Sequence, residues 1–331
     1  MDTEAFVLRT LIYNIMQIIG IDISKGWFDC FCNRRSIHKR SDNTPEGWKQ
    51  FLEWREGDIQ AVMEASGPYY LGLASWLHGQ GIPVSVVNPL VIRRYGQMKL
   101  ARVKTDPKDA ELIAAYGIEQ SPALWTPPSE ICQALRQLLS LREGLLRQQA
   151  IVIGQTEAFS QAPADRLVME VLSEQRERIT GGIVCIDQRL QALATEHYQA
   201  QLQALLSIPG LGPKTAILLL AVTDGFARFD SPRKLASYVG ICPRVWQSGS
   251  SVKGRGSICK LGCPQLRKLL YMCSWTAKRC NPACKQMYER LAGKGKPEKV
   301  IKVAIAHKLL RQVFAVGKNQ EHFNGKKAMA A

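Results

Sequence analysis

Four carboxylates at uneven spacing and one distant serine carry the chemistry legible in this chain. The carboxylates are Asp22, Glu64, Asp106 and Asp109, and the serine stands in Gln247-Ser248-Gly249-Ser250-Ser251. Carboxylates brought together from separate elements can hold a divalent cation such as Mg²⁺ or Mn²⁺ against phosphate oxygens. A serine hydroxyl beside such a site can attack phosphorus and hold a nucleic-acid end covalently. That pairing points to DNA strand exchange rather than to simple hydrolysis. The spacing alone does not select Ser248 over Ser250 or Ser251.

The local contexts of the acids sharpen this. Asp22 ends the apolar run Ile18-Ile19-Gly20-Ile21-Asp22, and Glu64 ends Ala61-Val62-Met63-Glu64. Acids at strand termini sit where open α/β sheets place function. Two such carboxylates on neighbouring strands would repel and raise each other's pKa, a conflict that a divalent cation removes. Asp106 and Asp109 are three residues apart, so one helix can present both on the same side. Asp106 also reads as an N-cap with Pro107 at the first helical position.

The elements that must position these groups are α/β followed by α. Residues 1–15 form an apolar leader, with Asp2 and Glu4 where a signal peptide would be basic. Residues 16–125 read as an α/β unit. Strands are expected over Met16–Ile23, Phe28–Cys32, Ser36–Lys39, Ile59–Met63 and Val84–Val87, the last stopped by Asn88-Pro89. Helices are expected from Pro45 to Trp54 with Thr44 as cap, from Tyr69 to Gly79, and from Lys104 to Tyr116. Strands alternating with helices imply a mixed sheet covered by helices.

Residues 126–200 read as a helical hairpin or coiled coil. Ile131, Leu135, Leu138, Leu145 and Val152 follow a heptad seam, and Ile179, Ile183, Ile186, Leu190 and Leu193 resume it after Gln161–Asp165. Gly181-Gly182 interrupts the second run. Residues 201–318 form a mainly helical unit, and 319–331 a polar, Lys-rich tail expected to fray. The turn Pro209-Gly210-Leu211-Gly212-Pro213-Lys214 resembles a helix-hairpin-helix element, whose backbone N–H groups can hold a phosphate; Lys214 adds charge.

The chain has 331 residues and a net charge of +16, a balance that favours polyanions. Ser231 to Tyr288 contains no Asp or Glu but eleven Lys and Arg residues, among them Lys253, Arg255, Lys260, Arg267 and Lys268. No amphipathic membrane helix with aromatic anchors accompanies them, so nucleic acid is favoured over a membrane. The ten cysteines show no secreted framework and read as reduced thiols of a cytoplasm. Cys259/Cys263 and Cys280/Cys284 have spacings that zinc allows, but no His supports them and core thiols are the simpler reading.

Taken in order, Gly20-Ile21-Asp22, Glu64-Ala65-Ser66-Gly67-Pro68-Tyr69, Asn88-Pro89, Lys104-Thr105-Asp106-Pro107-Lys108-Asp109-Ala110, Ile208-Pro209-Gly210-Leu211-Gly212, Ser248-Gly249, Lys260-Leu261-Gly262 and Leu266-Arg267 make the chain resemble a known family. It is similar to the DEDD-type insertion-sequence transposases, which include the Piv/MooV invertases (the insertion sequence family numbered one hundred and ten). The resemblance runs from about Ile18 to Phe314. It implies an N-terminal RuvC-like, RNase H-type domain, a coiled coil and a C-terminal transposase domain. It implies a Mg²⁺-binding tetrad of Asp22, Glu64, Asp106 and Asp109, with Ser248 as nucleophile. It further implies a noncoding guide RNA that pairs with donor and target DNA. Dimers would join into tetramers in which one subunit's tetrad meets another's serine, acting at a prokaryotic nucleoid. The apolar leader, Ser66 in place of Thr, and Cys259 in place of Ser or Thr depart from the family pattern. The competing readings are a hydrolytic RuvC-like nuclease that needs no serine, and a non-catalytic nucleic-acid-binding protein.

Overall fold

A computed structural model of the chain describes residues 17–100, 105–244, 247–248, 252–253 and 257–330, with backbone alone at 247–248, 252–253 and 330. The expected leader, Ser250, Ser251 and Arg255 lie outside the described residues. The chain divides into two compact units, Met1–Pro127 and Pro128–Ala331.

The first unit is built on a sheet whose described strands are β1 (Gln17–Ile23), β2 (Trp27–Cys32), β3 (Ile37–Asp42), β4 (Ile59–Glu64) and β5 (Val84–Val87), in the order β3-β2-β1-β4-β5. β1 with β2 and β2 with β3 pair antiparallel, whereas β1 with β4 and β4 with β5 pair in parallel. The sheet is therefore mixed, as the alternation of elements implies. The apolar period of two sorts its faces. One face, with Ile19, Ile21, Phe28, Cys30, Ala61 and Met63, buries against α1 (Pro45–Trp54) and α2 (Tyr70–Gly79), where Phe51, Leu73 and Leu77 are fully buried. Thr44 caps α1 as expected, its side chain accepting from the Gly47 N–H with Pro45 opening the helix.

The other face packs Ile18 and Val62 against Ile92 and Ile113. Ile92 belongs to α3 (Pro89–Met98), a helix the sequence reading missed; Asn88 ends the strand and also caps this helix by accepting from the Leu90 N–H. Ile113 belongs to α4 (Asp106–Gln120). Asp106 is not the cap of α4. Thr105 holds that position, without a side-chain bond, and Asp106 and Asp109 both lie in the first turn. The Pro-rich segment after Ser121 is tied back by Trp125, whose N–H donates to Val84 O and whose ring meets Tyr70 and His78 edge-on.

The second unit is helical apart from paired two-residue strands, β6 (Pro243–Arg244) with β9 (Ser257–Ile258) and β7 (Gln247–Ser248) with β8 (Val252–Lys253). It opens with α5 (Glu130–Phe159) and α6 (Arg166–Leu206). Arg142 pairs with Asp187 and Gln149 with Thr180, so the partner number falls as the first rises and the two helices are antiparallel. Gly181-Gly182 does not break α6; Gly182 faces Leu145, whose Cδ1 would lie 3.3 Å from an added Cβ. Ser129 caps α5, and its hydroxyl also donates to Asp224.

The core beyond is made by α7 (Pro213–Thr223), buried at every position from Thr215 to Thr223. An all-round apolar helix is stable only when other helices enclose it. These include α8 (Pro232–Val239), α9 (Pro264–Cys280), α10 (Pro282–Gly293) and α11 (Glu298–Asn319), which supply Leu235, Leu270, Cys284, Ile305 and Leu309 to the same core. The tail is more ordered than expected: Phe323 packs on this core, its N–H donates to Ser207 Oγ, and α12 (Gly325–Ala330) follows. No helix of the described residues is long and apolar enough to cross a membrane.

Candidate active site

The four acids fall on one end of the first unit's sheet and on the helix laid across it. The β1–β4 register pairs Ile21 with Met63, so Asp22 and Glu64 occupy the next rung of neighbouring parallel strands. The approach of α4 carries its first turn, with Asp106 and Asp109, toward Asp22. At Gly20 an added Cβ would lie 2.2 Å from Ala110 O and 2.4 Å from Ala114 N, so the helix backbone rests directly on β1. Gly117 makes the matching contact one layer on, against Ile18 and Val62. Glycine at both positions lets the first turn of α4 overhang Asp22.

The electrostatics register this convergence. Burial raises the Asp22 carboxyl to about 6, and the negative charges of Asp109, Glu64, Asp106 and Asp29 add to the shift, in that order. Glu64 is oriented by Ser66, whose hydroxyl donates to Oε1 at 2.7 Å. That serine was read from sequence only as a mild departure from Thr. Asp106 is turned toward Arg40, with Nη2 at 3.2 Å from its Oδ2. Among the described residues no three His, Cys, Asp or Glu side chains stand close enough together to hold a metal ion as they are arranged. The acids therefore meet as a field without forming a closed ligand shell. Their chemistry still suits a hard divalent cation: every donor is an oxygen, and Asp22 bears a repulsion that positive charge would relieve.

Sequence reasoning missed Asp29 and Arg40. Asp29 lies directly across from Asp22 in the β1–β2 register, is 6% exposed, and is bonded by Arg40 from the next strand. Neither residue ends a strand or sits in a motif, so only the pairing of strands discloses them.

In the second unit, Ser248 lies in β7, paired with Val252 of β8; its side chain, and that of Lys253, lie outside the described residues. Gly210 has φ +93° and touches α9, where an added Cβ would lie 2.8 Å from the Ala277 backbone. Its first duty is thus close packing. Gly212 is open and precedes the start of α7, where Pro213 and Lys214 are exposed. Lys214 and Lys268 line one cleft of about 340 Å³ together with Arg142, Asp187 and Gln265, and Lys214 lies 3.7 Å from Asp187. Lys260 is exposed, whereas Arg267 is half-buried and donates to Val239 O at the end of α8. Some of the charge in the acid-free stretch is balanced by acids from outside it: Lys234 pairs with Asp230 and Lys278 with Glu298. Of the four cysteines read as core thiols only Cys284 is buried, which pushes its thiol up to about 12, whereas Cys280 is exposed and Cys259 and Cys263 are half-buried.

The Transposase IS116/IS110/IS902 family profile matches residues 202–289, and a DEDD transposase profile matches residues 19–161. A pilin gene-inverting protein of Moraxella lacunata is 33% identical over 317 residues, covering 92% of this chain and 97% of its own length. The chain belongs to the IS116/IS110/IS902 transposase family. Its relatives also include a pilin gene-inverting protein of Moraxella bovis, 34% identical over 318 residues, covering 92% of this chain and 97% of its own length. The transposase for insertion sequence element IS1328 of Yersinia enterocolitica is 25% identical over 288 residues, covering 78% of this chain and 83% of its own. As a family member the chain is a recombination enzyme, and the acid row of its first unit falls within the DEDD transposase match.

Proposed function

We propose that the chain cuts and rejoins DNA through a two-part site: Asp22, Glu64, Asp106 and Asp109 hold Mg²⁺ or Mn²⁺, and Ser248 is the nucleophile. The observation that carries this reading is the placement of Asp22 and Glu64 at the ends of adjoining parallel strands with the first turn of α4, bearing Asp106 and Asp109, packed against β1, an arrangement in which burial and the neighbouring acids raise the Asp22 carboxyl to about 6. A folded protein keeps such mutual repulsion chiefly where function uses it. The cation, when bound, would stabilise charge on the scissile phosphate and the departing oxygen. Asp22 and Glu64 present their carboxylates from fixed strand ends, and Ser66 holds Glu64 in one orientation. The Ser248 Oγ forms a bond to phosphorus as the phosphorus–oxygen bond of the strand breaks, and the leaving hydroxyl takes the proton. Attack by a new strand's hydroxyl reverses the step, frees the serine and conserves the phosphodiester, so no ATP is needed.

The strand order β3-β2-β1-β4-β5 supports a RuvC-like, RNase H-type reading of the first unit. Heptad spacing and the antiparallel packing of α5 on α6 support the coiled coil. Gly210, Gly212, Lys214, Lys253, Arg255, Lys260, Arg267 and Lys268 are proposed to position nucleic acid through its backbone, with sequence chosen by a noncoding guide RNA. The proposed assembly is a dimer that pairs into a tetramer, joining the acids of one subunit to the serine of another. The inversion and transposition named for the relatives support DNA as substrate.

The test is denaturing electrophoresis of protein mixed with its element's flanking RNA, Mg²⁺ and labelled DNA. A shifted protein–DNA adduct is expected, lost in Ser248→Ala. Continued cutting by Ser248→Ala would establish a hydrolase instead, and activity untouched by Asp22→Ala would remove the acid site from the reaction.

A further inference from the structure

Three neighbouring strands place Asp22, Asp29 and Arg40 in one lateral row: Asp22 pairs with Asp29 across β1–β2, and Asp29 pairs with Arg40 across β2–β3. The Asp29 side chain is 8% exposed. A buried carboxylate needs a partner, and Arg40 supplies it with a forked contact. Arg40 Nε lies 3.1 Å from both Asp29 oxygens and Nη2 lies 2.8 Å from Oδ2. The same Nη2 reaches Asp106 Oδ2 at 3.2 Å, and the guanidinium carbon stands 5.3 Å from the centre of the Trp27 ring. One cation therefore serves two carboxylates, one outside the quartet and one within it. Asp29 fixes the fork from below, and the half-exposed end of Arg40 faces Asp106.

We infer that Arg40 is a built-in counter-cation of the acid site: anchored by Asp29, it holds Asp106 in a contact that a divalent cation must displace. This rests on the quartet being the cation site. Arg40 is then a positioning residue that sets how readily the site loads. Its removal takes away both a competitor for Asp106 and a repelling charge, so loading becomes easier. Removing Asp29 deletes a negative charge and leaves the guanidinium to Asp106 among its described carboxylate contacts, so loading becomes harder. A residue that merely supported the sheet would weaken loading in both cases.

The experiment is Mn²⁺ binding to the full chain without nucleic acid, read by calorimetry and by the electron paramagnetic resonance signal of free Mn²⁺. Arg40→Met is expected to bind Mn²⁺ roughly threefold to tenfold more tightly than the parent, the scale of one partly exposed ion pair. Asp29→Asn is expected to bind more weakly. In an Asp106→Asn background the gain from Arg40→Met should shrink, because the contact it relieves is already gone. Should Arg40→Met leave the buried Asp29 too poorly paired to fold, Asp29→Asn with and without Arg40→Met gives the same comparison, and the double variant should bind more tightly. Unchanged or weaker binding on loss of Arg40, or a gain that persists in full without Asp106, overturns the inference while leaving the quartet standing. A parent chain that binds no Mn²⁺, or an Asp22→Asn variant that binds as well as the parent, overturns the quartet and the inference with it.

Discussion

Asp22 shows how a residue can be placed against its own preference. Its carboxyl is raised from 3.8 to about 6 by burial and by surrounding acids, so the folded chain holds that proton more tightly than the unfolded chain does. The favourable share of this group is complete below about pH 4 and is lost as pH rises through 6. Without a divalent cation, Asp22→Asn should therefore be more stable than the parent at pH 7, by about 1 kcal/mol after allowance for solvent screening. The advantage should fade as pH falls from 6 toward 4. Thermal denaturation in EDTA across this range checks it, and the same variant should be inactive. Asp22 and Glu64 were legible in the sequence because each ends an apolar run at a recognisable stop. Asp29 was not, since a lone acid between Phe28 and Cys30 carries no local mark of lying opposite Asp22.

At the scale of elements, the decisive contact is between β1 and α4. Gly20 permits it, with Ala110 O lying 2.2 Å from where a Cβ would stand. Gly20→Ala should push the helix off the strand and cost about 3 kcal/mol, as overpacking of a closed contact does. It should also spread the acids. Urea denaturation should show a lower midpoint for the first unit, and the Asp22 carboxyl should move back toward its ordinary range. An unchanged midpoint would mean that the helix yields without cost. Local signals placed α1 correctly from Thr44 and Pro45. They failed at α3, because Asn88-Pro89 both ends β5 and begins a helix, and only the first duty was read. Two-residue strands such as β7 and β8 exist through pairing alone, and no period can announce them.

For the whole molecule, the charge of +16 is the property that selects a polyanion. Folding redistributes it: Lys234, Lys278 and Lys214 acquire acid neighbours, whereas Lys268 lines a cleft beside Lys214 with no such pair among the described contacts. If that cleft follows a nucleic-acid backbone, Lys214→Ala with Lys268→Ala should weaken binding evenly across sequences. It should also lower the slope of log affinity against log salt by about one per lysine lost from contact. Binding isotherms at several salt concentrations measure this. A slope equal to the parent's would place the nucleic acid elsewhere on the basic surface.

The sequence by itself determined which residue types were available, how they were spaced, and which runs would be strand or helix. Those are local matters, set by hydrophobic period, caps and turn residues within a few positions of each other. It also carried the family, through the order of many short motifs. The tertiary structure decided which groups face one another: that Asp29 backs Asp22, that Arg40 ties Asp29 to Asp106, and that Gly210 is closed against Ala277. Each of these depends on strand register or on the distance between two backbones, and such quantities are fixed only when elements far apart in the chain are packed together.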